Sequence, residues 1–101
     1  MAKFPFSDLH SFKDYVGFVG MCAPDQFPAR EGVDPEYQWS LDLAFKGLYE
    51  GLSYINRKKV VYEACTVLFN EAYELYKNGD SQGGYFKVNE VQKLIKKIPS
   101  Q

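Results

Sequence analysis

Apolar side chains recur at helical spacing along most of this chain. In the first such segment Leu9, Phe12, Val16 and Val19 stand three, four and three positions apart, which places them on one face of a helix. Ser7 precedes them as a candidate N-cap and Asp8 suits the positive end of the helix dipole, so a helix is predicted from there to about Gly20. In the second segment Leu41, Phe45, Leu48, Leu52 and Ile55 repeat in steps of four, three, four and three. Asp34 as N-cap, Pro35 at the first helical position and Glu36 behind it predict a helix reaching about Asn56. The third segment, Arg57 to Asn78 with Gly79 as its stop, carries two stripes: Val61, Cys65, Leu68, Ala72 and Leu75, and one residue on, Tyr62, Thr66, Phe69, Tyr73 and Tyr76. Successive residues on a helix differ by about 100°, so its apolar and aromatic arc is wide. A fourth helix is expected from about Gly84 to Lys97, ending near Pro99, with Val88, Val91, Leu94, Ile95 and Ile98 as its core face.

Between the first two helices, residues 21–34 contain Pro24, Pro28 and Gly32, which forbid a continuous helix. The later connections are short, so helices two, three and four are expected as antiparallel neighbours, with the first helix packed across them. The expectation is an all-α, compact, four-helix bundle-like domain spanning 1–101, with a long loop between helices 1 and 2. Ala44, Gly47 and Gly51 form a column of small residues beside the main stripe of the second helix. An interior glycine costs about 1 kcal/mol against alanine, so two of them predict a neighbouring helix in close approach.

Composition adds two points. Eight Phe, eight Tyr and one Trp in 101 residues exceed what a core of this size ordinarily needs, which predicts that some lie on a binding surface. The net charge is only −1, yet residues 1–50 balance to −4 and residues 51–101 to +3. Such a chain can pair its own halves, associate head to tail, or offer an acidic face to a basic partner. Neither nucleic acid nor a membrane is favoured by this balance. Arg57–Lys58–Lys59 reads as an interhelical turn, and Lys93, Lys96 and Lys97 complement the negative end of the last helix. The N-terminus shows no leader pattern, and two cysteines are a poor disulfide framework, so a cytoplasmic protein with reduced thiols is expected.

Candidate chemistry is sparse. One histidine, His10, and two distant cysteines, Cys22 and Cys65, cannot supply a structural zinc site, and no calcium or phosphate loop is present. No cofactor, metal or catalytic residue is therefore expected. A small enzyme or ligand carrier remains the alternative, using Cys22 and His10 or a pocket lined by Tyr62, Tyr73 and Tyr76.

The positive signal is a surface. Trp39 falls off the main stripe of the predicted second helix, on a face shared with Leu43, Lys46 and Glu50. With Glu36, Tyr37 and Asp42 nearby and Phe27, Arg30 and Glu31 in the preceding loop, it defines an aromatic–acidic patch suited to a protein partner. The competing reading is that Trp39 and Phe27 cap one end of the core beneath a folded loop. Tyr62, Phe69, Tyr73 and Tyr76 form a second candidate surface, a homodimer seam unless the first helix covers it. Ala72–Asp80 and the helix beyond resemble one helical hairpin of the tetratricopeptide kind, over about a quarter of the chain and without recurrence. In size, acidity of one half and lack of catalytic motifs the chain is similar to small bacterial immunity proteins, a class analogy that implies a toxin-neutralising inhibitor. The sequence thus points to a non-catalytic protein-binding domain, an inhibitor or an adaptor, with a structural homodimer as the further alternative.

Overall fold

Capping chemistry decides where each helix begins. The computed structural model describes residues 4–23 and 25–98, with the side chain of Tyr37 excepted. Pro24 and Pro99, read above as breakers, lie outside the described residues. Helix α1 spans Leu9–Cys22 and starts one residue later than expected. Asp8, not Ser7, is its N-cap: the Asp8 carboxylate accepts the Ser11 N–H at 2.9 Å, and Ser11 Oγ accepts the Asp8 N–H in return.

The predicted second helix is divided in three. Pro35–Tyr37 forms a single 3-10 turn, Gln38 leaves it in extended conformation, and α2 starts at Ser40, whose hydroxyl accepts the Leu43 N–H at 3.1 Å. Helix α2 covers Leu41–Gly51 and tightens into a 3-10 segment over Leu52–Ile55. The Asp34–Pro35 start signal is used, but for a turn only. The connection from α1 to α2 therefore runs through residues 23–40.

Helix α3 spans Lys59–Lys77 and stops at Gly79, where φ is +87°, a conformation glycine reaches without steric cost. Helix α4 spans Ser81–Lys96, starting three residues ahead of the expected Gly84. Asp80 caps it by accepting the Gly83 N–H at 2.9 Å, so residues that read as a turn form the cap and first turn of a helix. No strand occurs among the described residues.

The helices alternate in direction and close a ring of neighbours: α1 on α2, α2 on α3, α3 on α4, and α4 back on α1, with α3–α4 the most extensive interface. Specific ties mark three of these antiparallel registers. Tyr15 donates to the Ala44 carbonyl at 2.8 Å, Lys87 meets Glu71 at 3.0 Å, and Lys13 Nζ donates to the Ile98 carbonyl at 2.5 Å. The first helix thus runs along α4 instead of crossing the other three. Phe12, Val16, Val19, Phe45, Leu48, Cys65, Phe69, Val88, Val91 and Ile95 fill the centre and are sealed from solvent.

The glycine column of α2 does receive a neighbour, and that neighbour is α1. A β-carbon on Gly47 would strike the Tyr15 hydroxyl and the Phe4 ring, and one on Gly51 would overlap the ring of Phe12.

Candidate protein-binding surface

Residues 25–40 do not hang off the bundle; they fold over one end of it as a flap. Trp39 sits just before the N-cap of α2, so it shares no helix face with Leu43, Lys46 or Glu50. Its half-buried indole packs 5.3 Å from Phe18 and 5.9 Å from both Tyr15 and Phe27, centroid to centroid. These spacings suit favourable tilted and offset ring pairs. The Arg30 guanidinium lies 4.7 Å over the indole, a cation–π contact. Gln38 clamps the flap by accepting the Arg30 N–H at 2.9 Å and donating to the Arg30 carbonyl at 2.5 Å. Phe27 and Trp39 of the expected patch are thus half-buried, each packed against other rings. The side chain of Tyr37 lies outside the described residues.

The acidic half stays in solvent. Glu31, Glu36 and Asp42 are exposed, and so are Asp25 and Asp34 on the same flap and Glu74 and Asp80 beside it. Among the described residues Arg30, Lys46 and Lys77 partly offset them. At the opposite end, Arg57, Lys58 and Lys59 at the start of α3 face solvent with Lys93 and Lys96 of the last turn of α4 and its C-cap Lys97. The imbalance between the two halves of the sequence becomes an axial one, because alternating helices bring the acidic flap and the basic turns to opposite poles.

The tyrosine stripe on α3 is divided by the same packing. Phe69 is fully buried and Tyr76 is 4% exposed, both inside the core, so neither is available to a dimer seam. Burial pushes the Tyr76 phenol up to about 12, and its hydroxyl has no hydrogen-bond partner among the described residues. Helix α1 does not cover the stripe; Phe45 of α2 does, its ring 6.3 Å from Phe69, 5.5 Å from Tyr73 and 6.0 Å from Tyr76. Tyr62, half-buried one helix length away, shares no pocket with Tyr76, since fourteen residues of helix rise about 21 Å.

Tyr73 is drawn to the other candidate surface. It donates to the Asp42 carboxylate at 2.6 Å, and that bond holds its phenol above the usual range, with desolvation adding to the effect. Lys77 lies 5.6 Å over the same ring. Next to this pair Tyr49 donates to the Asn70 side chain, and Asp42, Phe45, Lys46, Tyr49 and Tyr73 line a shallow cleft of about 390 Å³ between α2 and α3. Tyr49 and Asn70 were not singled out from sequence. Their signal was present: Asp42, Phe45 and Tyr49 are spaced three and four apart, as are Asn70, Tyr73 and Lys77 on the facing helix.

The thiol–imidazole pairing finds no support in the geometry. His10 and Cys22 sit near opposite ends of α1, twelve residues or about 18 Å apart along the helix. Cys65 is buried in the core, which raises its thiol to about 11. Among the described residues no group of His, Cys, Asp and Glu side chains is placed to hold a metal ion, and no helix is long and apolar enough to cross a membrane. Compared with known proteins, the chain matches no family model, no curated protein and no solved structure.

Proposed function

We propose that this protein is a non-catalytic protein-binding domain whose acidic pole, bordered by the Asp42–Tyr73 edge, docks on a basic surface of another protein. The observation that carries this reading is the display in solvent of Asp25, Glu31, Asp34 and Glu36 on a flap anchored through Trp39, Phe18 and Arg30, with Asp42 beside it in the first turn of α2. A field of one sign on a rigid support steers encounter and selects partners of opposite charge. Tyr49, 37% exposed at the edge of that field, supplies the aromatic contact that interfaces favour. An inhibitor of the immunity type and an adaptor are the two forms of this reading.

The test compares capture from a cell extract by the wild type and by a Glu31→Lys/Glu36→Lys/Asp42→Lys variant of unchanged circular dichroism. Recovery of a basic protein by the wild type, lost in added salt and reduced about tenfold or more by charge reversal, is the expected result. Equal recovery by both proteins removes the acidic pole as the binding surface.

A further inference from the structure

Within the flap, residues 31–36 form a loop closed at its base. Gln38 makes the closure, accepting the Arg30 N–H and donating to the Arg30 carbonyl. Gly32 turns the chain at φ +75°, where an added β-carbon would meet nothing within 4 Å. Glu31, Asp34, Pro35 and Glu36 are exposed, and Val33 is half-buried. The loop thus sets three carboxylates around two apolar side chains and contains no cation. Its closed base and Pro35 restrict its shape, which lowers the entropy lost on docking.

The basic pole is concave. A cleft of about 550 Å³ opens there between the start of α1, the 3-10 segment that ends α2, and the turn into α3. Ile55 is buried and Leu9 and Ile98 are half-buried, which gives the cleft an apolar floor; Tyr54, Arg57 and Lys58 are exposed at its rim. Asp8 also lines it, with its carboxylate engaged by the Ser11 N–H at 2.9 Å and the Ser11 hydroxyl at 2.8 Å. Among the described residues Lys58 begins α3 without a side-chain cap, and no acidic residue stands in the first turn. A carboxylate arriving beside Arg57 and Lys58 therefore meets two cations and the positive end of a 19-residue helix.

Loop and cleft are complementary: three carboxylates around Val33 and Pro35 face two cations around an apolar floor. They do not meet within one chain. The loop joins the fold ahead of α2 and the cleft lies beyond its 3-10 extension, on the order of 20 Å away along the helix. Seven residues closed at their base reach only about 12 Å. Two copies set like pole to like pole repel, whereas acidic loop to basic cleft is the arrangement their charges favour.

We propose that the cleft at the basic pole takes the Glu31–Glu36 loop of a second copy of this chain, a head-to-tail contact that repeats from molecule to molecule. Such an interface is heterologous, so it builds open chains instead of a closed pair. A loop of this size buries less than a standard interface, so the contact is weak and forms at high protein concentration. The loop belongs to the acidic pole, and a foreign basic partner would compete with the second copy for it.

Sedimentation equilibrium at low ionic strength and rising concentration should show a mean mass above the 11.6 kDa of one chain. In about 0.3 M salt the association should weaken about tenfold or more. Glu31→Gln/Asp34→Asn/Glu36→Gln discharges the loop, and Arg57→Gln/Lys58→Gln discharges the cleft. With circular dichroism unchanged, each variant alone should associate about tenfold more weakly than the wild type. An equimolar mixture of the two variants keeps one native loop and one native cleft, so it should associate as the wild type does but stop at a dimer. A single-chain mass at about 1 mM and low salt overturns the proposal. So does association that either variant retains, or a mixture no heavier than its components. The cleft variant leaves the acidic pole intact, so its capture of a basic protein tests that docking surface separately from self-association.

Discussion

The ring of Phe12 occupies the space that a β-carbon on Gly51 would need. Helix α1 therefore approaches α2 to the distance that a bare backbone permits, and Tyr15, one turn further along α1, makes the same use of Gly47 before reaching the Ala44 carbonyl. The usual sign of a glycine substitution is reversed at such a position. In an open helix Gly→Ala stabilises by up to about 1 kcal/mol; here Gly51→Ala is expected to destabilise by about 1–3 kcal/mol, since Phe12 must leave its rotamer or the helices must part. Urea unfolding measures it, and Phe12→Leu in the Gly51→Ala background should recover part of the loss. An additive double variant would show that the two residues do not share this space.

Tyr76 buries a hydroxyl with no partner among the described residues, its ring lying against Gly84. Removing that hydroxyl relieves an unmet desolvation cost, so Tyr76→Phe should raise stability by about 1 kcal/mol at neutral pH. The same residue sets an alkaline limit. Its folded-state pKa is raised, so its share of stability is complete below the ordinary phenol value of 10.0 and disappears as pH climbs through about 12. Unfolding followed between pH 9 and 12 should fall less steeply in Tyr76→Phe than in the wild type.

At the acid side the sign is opposite. The Asp8 carboxyl is held below its usual value by the Ser11 backbone N–H and then by the Ser11 hydroxyl. Its contribution is present above the ordinary carboxylate range and is lost as pH falls through the depressed value. Asp8→Asn keeps a capping oxygen but removes the titration. Its stability should depend less on pH between about 5 and 2 than that of the wild type, as read from thermal midpoints.

Trp39 and Glu36 sit near each other in sequence and do different work. Trp39→Ala removes the ring on which Phe18, Phe27 and Arg30 converge and should cost about 3 kcal/mol. Glu36→Lys alters an exposed side chain and should stay within about 0.5 kcal/mol. Chemical denaturation separates the two. Partner capture by Trp39→Ala is then informative only where the flap is shown to stay closed, for instance by retained protection of the Arg30 amide from hydrogen exchange.

The helical content and the core of this protein were legible in the spacing of its apolar residues. Phe12, Val16, Val19, Phe45, Leu48, Val88, Val91 and Ile95 all lie on predicted stripes and all are buried. Periodicity could not locate the break at residues 38–40. Asp34–Pro35 is a sound start signal, and only the tertiary tie from Gln38 to Arg30 shows that the turn it begins does not continue. The aromatic count divides between surface and interior: Tyr49, Tyr54, Tyr85 and Phe86 are exposed. Ring pairs linking Phe4, Phe6, Phe18, Phe27 and Trp39 form a second layer along α1, reaching under the flap at Phe18, Phe27 and Trp39, an interior that helix-stripe reading does not include. The charge asymmetry was legible, but its placement at two poles depends on topology.

The poles have a practical outcome at the bench. With a net charge of −1 and a calculated isoelectric point of about 5.8, the bulk numbers describe a weakly anionic solute. A particle that turns one end or the other toward a resin behaves otherwise: near neutral pH and at low ionic strength it should be retained by anion and cation exchangers alike, held by a different end on each.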